Sequence, residues 1–250
     1  MQKFDSFPTL ESALNDRFRG HVDRDLSEWR EKHAHLQSRD IPVDAKNAWI
    51  GRQKLNYRGI GERQSLRHLI SGNVDQPFLD EIGNLGGLER LELEWPMVAK
   101  DLTPLLELKD LTYLSIDSPS NIADFRVLLQ LPALRTLIIT NPKKMADLSW
   151  LVEAHHLEVI GIEGGMWKPY KIPTLRPLAG LRALRAFLGV STKLADRSLE
   201  PLGDCPSLEY LGIACVAPQP EFDRLKKAKP NLVCDWFRPE MWAALRTARK

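Results

Sequence analysis

The sequence predicts an α/β solenoid: a right-handed horseshoe with a parallel sheet on its concave side and a helical cap at its N-terminus. Two observations carry that prediction. The pattern L-x-x-L-x-L starts at Leu66, Leu88, Leu111, Leu134, Leu157, Leu184, Leu208 and Leu232, so its steps are 22, 23, 23, 23, 27, 24 and 24 residues. In the clearest copies, those at Leu88, Leu111, Leu134, Leu157 and Leu208, the last two apolar positions alternate with non-core residues, the period of a strand with one buried face. Ahead of the strands, apolar residues recur in steps of three, as in Leu102, Leu105, Leu108, Leu111 and in Phe125, Leu128, Leu131, Leu134. That spacing suits 3₁₀ turns better than long helices. One unit cannot bury its own apolar edge, but neighbours stacked at about 4.8 Å form a continuous core. Strands are expected near residues 68, 91, 114, 137, 160, 187 and 211.

The elements divide the chain into three parts. Residues 1–62 lack the repeat; Leu10, Leu14, Phe18, Val22 and Leu26 recur every four residues, joined by Trp29 and Leu36, so residues 9–37 read as one or two amphipathic helices interrupted near Gly20. Their simplest role is to cap the open edge of the first repeat, since a bare strand edge invites aggregation. Trp49, Ile50 and Tyr57 are expected to pack on that repeat. Residues 63–237 form the solenoid of about eight repeats. From 238 to 250 the chain forms a C-terminal cap or tail, with Met241, Trp242 and Leu245 on one side of a helix over 239–248.

A period of 20–29 residues marks a leucine-rich repeat. The stretches Asp101 to Asp117 (DLTPLLELKDLTYLSID) and Leu175 to Leu184 (LRPLAGLRAL) resemble the short repeats of internalin-type leucine-rich proteins, a likeness that covers most of residues 79–213. Cys205 to Cys215 (CPSLEYLGIAC) is similar to the cysteine-containing repeat class, and Leu225 to Trp236 to a closing repeat. The resemblance implies the fold and says little about function, because this family serves many partners. One departure stands out. Where the usual repeat carries Asn or Cys eight residues after the first leucine, this chain has Pro96, Pro119, Pro142, Gly165, Thr192 and Val216. The expectation is a solenoid without an asparagine ladder and less regular than its relatives.

With 43% hydrophobic and 27% charged residues and a net charge of +2, composition fits a globular domain and decides nothing about partners. No stretch approaches the roughly 18 apolar residues of a membrane span, and no apolar leader follows Met1, so a cytosolic protein is expected. Cys205, Cys215 and Cys234 form no C-x-x-C pair, so reduced and mostly buried thiols are expected. Catalytic candidates are weak. His33 with His35 and His155 with His156 lack metal-ligand spacing, Gly59-x-Gly61, Gly86-Gly87 and Gly164-Gly165 lack a phosphate-loop context, and Cys234-Asp235 has no base beside it. No cofactor and no metal are implied, and an enzyme is the least favoured of three readings.

Function is therefore sought on the face that the architecture presents. Side chains alternate across a strand, so the third, fifth and seventh positions of each copy point into the concavity. Glu92, Glu94, Asp117 and Glu163 give it an acidic part, with Arg90 among them as a basic contact residue, and Tyr113, Ile138, Val159, Leu188 and Tyr210 an apolar and aromatic part. The 27-residue step inserts a loop carrying Met166, Trp167 and Tyr170, and Trp95 follows the second strand; each aromatic is either a plug or a contact residue. Acidic groups beside exposed apolar ones suit a protein partner with a basic surface. A bacterial immunity protein that neutralises a toxin, an effector or a regulator would each use such a face. The alternative is nucleic-acid or anionic-surface binding through Lys226, Lys227, Lys229, Arg238, Arg246, Arg249 and Lys250, which the acidic concavity opposes.

Overall fold

The structure, a computed structural model, describes residues 12–20 and 26–248. Leu10 and Val22 of the expected helical pattern lie outside the described residues, as do Arg249 and Lys250. Chain order runs α1 (Ser12–Arg19), α2 (Leu26–His33), β1 (Asn47–Gly51), β2 (His68–Val74), α3 (Gln76–Gly83), β3 (Arg90–Met97), β4 (Tyr113–Asp117), β5 (Thr136–Thr140) and β6 (Val159–Glu163). It continues with β7 (Tyr170–Ile172), β8 (Ala186–Gly189), β9 (Thr192–Leu194), β10 (Tyr210–Ile213), α4 (Gln219–Ala228) and α5 (Pro239–Ala248). Eight strands form one parallel sheet in the order β1-β2-β3-β4-β5-β6-β8-β10. Most return connections on the far side are 3₁₀ turns, as the steps of three predict; α3 is the exception, an eight-residue helix whose N-cap, Asp75, accepts a hydrogen bond from the Phe78 N–H at 3.2 Å. Strands fall near the expected centres except in the first copy, where the strand starts at His68 instead of centring there.

The leucine positions do what their spacing demands. Leu91, Leu114, Leu137 and Ile160 sit in adjacent registers and are fully buried, as are Leu105, Leu128 and Leu151 from the turns behind them. Together they make one continuous apolar core from Ile41 to Trp242. At the C-terminal end, Phe222, Trp236 and Trp242 pack ring against ring, with centroids 5.2–6.2 Å apart, and α5 buries Met241 and Trp242 as its pattern predicts.

Three expectations are corrected. The sheet begins one repeat earlier than the leucine pattern: Ala45-x-x-Ala48-x-Ile50 occupies the same positions, 21 residues before Leu66, and its strand β1 pairs in register with β2. Alanine in place of leucine hid it. Consequently the open edge of the Leu66 repeat is covered by β1, not by helices α1 and α2. Finally, the ladder of turn residues exists, one position earlier than the expected site. Asn73, Ser118, Asn141 and Ser191 all hold φ between 53° and 58° at the strand ends, a left-handed conformation that short polar side chains tolerate best. Asn141 donates to Ser118 Oγ at 2.9 Å, Asn73 to the Arg52 carbonyl at 3.0 Å and Ser191 to the Gly165 carbonyl at 2.9 Å, so each stitches its repeat to a neighbour.

Candidate partner-binding surface

Helices α1 and α2 lie over the concave face. On α1, Phe18 is buried in a cluster with Tyr113, Ile138, Val159, Ala186, Leu188 and Tyr210, separate from the main core and contributed by five strands. Its ring stacks on Tyr210 with centroids 5.6 Å apart and planes 8° from parallel, and the Arg185 guanidinium approaches it at 5.8 Å. Leu14, one helical turn before, packs at the margin. The apolar residues expected to be exposed for a partner are thus covered by the chain itself: Tyr113, Ile138, Val159, Leu188 and Tyr210 are all buried. The physical reason is ordinary, because an uncovered apolar sheet face recruits the nearest segment with a matching apolar stripe.

The acidic part is engaged as well. Glu163, buried, forms an ion pair with Arg19, one of whose bonds is 3.1 Å. Burial is the largest single influence and disfavours the Arg19 charge, but the hydrogen bond and charge attraction of Glu163, with smaller attractions from Tyr113 and Tyr210, together outweigh it and raise the guanidinium's pKa. Glu94 is paired with Arg30 of α2 and accepts from Trp49 Nε1 at 3.1 Å. Glu92 takes Arg90 Nε at 3.0 Å and lies 3.1 Å from His68 Nε2, while the Arg90 guanidinium sits 3.4 Å over the Tyr113 ring and reaches the Arg19 carbonyl at 3.3 Å. Trp29 of α2 packs on His68, centroids 4.5 Å apart. Asp117 differs: it takes a hydrogen bond from Ser118 Oγ at 2.8 Å, and no salt bridge to it is found among the described residues. Burial, with some repulsion from Glu94, raises its pKa above the ordinary carboxylate value. It lines a cleft of roughly 200 Å³ beside α1, with Arg19, Glu92, Glu94, Ser115 and Thr140.

The link between the two helices has one strict requirement. Gly20 follows α1 at φ +64°, and a Cβ there would come within 2.6 Å of the Arg90 guanidinium. The predicted break near Gly20 is real, and the positive φ of the turn is what favours glycine there, since the Arg90 guanidinium ends a flexible side chain that can move aside.

What remains open is the rim at the C-terminal ends of the strands; Trp95, expected to follow its strand, lies inside β3 near its end. Trp95 is 68% exposed, and Met166 and Trp167 are 87% and 89% exposed. Neither tryptophan plugs a hole. Val190, also exposed, follows β8, and its carbonyl accepts the Gly164 N–H at 3.0 Å, which places it at the base of the inserted loop. That loop is anchored below its tip: β7 pairs with β9, and Gly164 lies so close to Ser191 that a Cβ would meet the Ser191 carbonyl oxygen at 1.8 Å. Tyr170 belongs to the anchor instead of the contact surface, being half-buried with its hydroxyl donating to the Met145 carbonyl at 3.0 Å; burial pushes its pKa up to about 12. Met166 and Trp167 line an open cleft of roughly 650 Å³ with Asn141, Lys143, Lys168 and Lys171.

Chemically reactive side chains are set up poorly for nucleophilic work. The Cys234 thiol is buried and its pKa is pushed up to about 12, so the thiolate is suppressed; Cys205 is buried too and its Sγ faces the Leu178 carbonyl at 3.0 Å. Cys215, unlike the other two, is only half-buried. Among the basic residues near the C-terminus, Lys226 donates to the Phe237 carbonyl at 3.2 Å and Arg238 pairs with Glu240 at 2.8 Å. Among the described residues, no helix is long and apolar enough to cross a membrane.

Repeat length, a parallel sheet with one strand per repeat, 3₁₀ returns and a ladder of polar turn residues agree with one known architecture. The fold is that of a leucine-rich repeat protein. An internalin (inlF) from Listeria monocytogenes superposes with a TM-score of 0.52 at 17% identity, over 76% of this chain and 60% of its own. Internalin C2 (inlC2) from the same species gives 0.43 at 19% identity over 75% of this chain and 76% of its own, and a leucine-rich repeat protein from Leptospira interrogans gives 0.40 at 16%, over 84% and 62%. The chain spans about three fifths of the inlF structure's length. No known family model and no curated protein matches the sequence.

Proposed function

We propose that this protein is a non-enzymatic scaffold of the cytosol that grips a partner protein with the concave side of its sheet and the adjoining rim. The single observation that carries the reading is the rim itself: Trp95, Met166 and Trp167 stand in solvent on an anchored backbone, where burial by a partner is the only large apolar gain open to them. Near Trp95, at the ends of the paired strands β3 and β4, lie the carboxylates of Glu94 and Asp117, which favour a basic surface on the partner. Lys143, Lys168 and Lys171 surround the Trp167 cleft, so the part of the partner that meets this cleft is neutral or acidic. A leucine-rich repeat scaffold with such a surface would act by occlusion or recruitment, as an immunity protein masking a toxin does, or an effector or regulator docking on its target.

The test is affinity capture with the tagged full chain, followed by binding kinetics on the protein recovered. Trp167→Ala is expected to speed dissociation, with a loss of about 2 kcal/mol, while leaving stability within about 0.5 kcal/mol of the parent. Asp117→Lys is expected to slow association in a salt-dependent way. It is a cleaner choice than Glu94, whose bonds to Arg30 and Trp49 would be lost together with the charge. Unchanged kinetics for both variants, with binding abolished by substitutions on the face of the 3₁₀ turns, would overturn the reading.

A further inference from the structure

We propose that the concave face is a groove for an amphipathic helix presenting one aromatic ring flanked by arginine, and that α1 is the chain's own occupant, displaced when a partner helix of that chemistry binds. This rests on the reading of the concave side as a binding surface and names the partner class for it.

The groove is built from the sheet alone. Tyr113, Ile138, Val159, Ala186, Leu188 and Tyr210 form a shelf independent of the main core, with Glu163 at one side and Arg185 at the other. The occupant adds one aromatic ring and one guanidinium: Phe18 stacks on Tyr210, and Arg19 pairs with Glu163. Nothing in these contacts depends on the occupant being part of the same chain. A helix of eight residues is unstable by itself in water, so α1 exists as a helix because the groove holds it. Its advantage over a free helix is its tether, which acts as a high local concentration and adds no contact of its own.

The fit of α1 is incomplete, and this points to a partner instead of a second copy of the chain. The cleft beside α1 stays open, and Asp117 on its wall has no cation in bonding distance among the described residues. A second copy's α1 would repeat the same gap. A partner helix with a further basic residue, aimed at Asp117, fills it, and the gain from giving a cation to that half-buried carboxylate, which among the described residues is held by Ser118 Oγ and by no salt bridge, provides the margin for displacement.

The experiment uses a fluorescein-labelled synthetic peptide of residues 9–24 and fluorescence anisotropy. It is expected to bind the full chain carrying Phe18→Asp roughly ten-fold or more tightly than the parent chain, because that substitution empties the groove. The same peptide with its own phenylalanine replaced by alanine should bind neither. Arg19→Ala provides a milder way of loosening α1 should Phe18→Asp not fold, folding being judged by circular dichroism and melting. Equal affinity for parent and variant, or no binding to a folded variant, overturns the proposal. So does a concentration-dependent dimer of the parent, by analytical ultracentrifugation, that Phe18→Asp abolishes, since the occupant would then be a second copy. A failed peptide with capture still dependent on Trp167 removes the groove and leaves the scaffold reading standing; the converse pair of results does the reverse.

Discussion

The two apolar clusters on opposite faces of the sheet are assembled in different ways. Behind the sheet, each leucine meets the equivalent residue about 23 positions along the chain, and Leu91, Leu114 and Leu137 are buried by repetition. In front of it, the cluster is closed by a single ring, Phe18, which meets Tyr113 across 95 residues and Tyr210 across 192. The first belongs to the solenoid and cannot be given up without unfolding it. The second is laid over that solenoid by Phe18, Leu14 and the largely buried Arg19–Glu163 pair, with the more exposed Arg30–Glu94 pair of α2 contributing little.

That contrast can be broken most directly by truncation on each side. Leu114→Ala removes a side chain shared by two neighbouring repeats and is expected to lower the free energy of unfolding by about 2–5 kcal/mol, read from the denaturant midpoint. Phe18→Ala is expected to cost about 1–3 kcal/mol at most, because α1 can leave the face while the repeats stay folded. Equivalent losses would mean that α1 and the solenoid unfold as one unit, and the distinction between the two clusters would fall.

Asp117 sharpens the comparison with the smallest effect. Its pKa is raised in the folded chain, so the folded state binds a proton more readily than the unfolded one. The sign follows: the charged carboxylate costs stability at pH above its folded pKa, and that cost disappears as the pH falls below its unfolded value. Asp117→Asn is therefore expected to stabilise the chain by less than about 1 kcal/mol near neutral pH and to make no difference in acid, measured by melting across pH. A variant that is less stable at neutral pH would show that the carboxylate is satisfied by a partner in the fold, and the open place in the groove would be lost.

Periodicity made the architecture legible. Alternation along each strand, steps of three in the returns and a period near 23 residues are local signals, and burial of a continuous core in only one way turns them into a sheet with a known inner and outer face. The first repeat escaped because Ala45 and Ala48 keep the spacing but not the bulk. The polar ladder escaped because it lies at Asn73, Ser118, Asn141 and Ser191, one position before the place where the usual repeat carries asparagine. The helices of residues 9–37 were visible in their four-residue spacing, as was the break at Gly20. Where they dock was not, since neither Phe18 nor Arg19 carries a sequence mark of Tyr210 or Glu163. The sequence alone determined which side chains face the concavity. Only the tertiary structure decided that α1 covers the apolar ones while Trp95 and Trp167 stay exposed, because that outcome depends on shape and charge matching between segments that no periodicity connects.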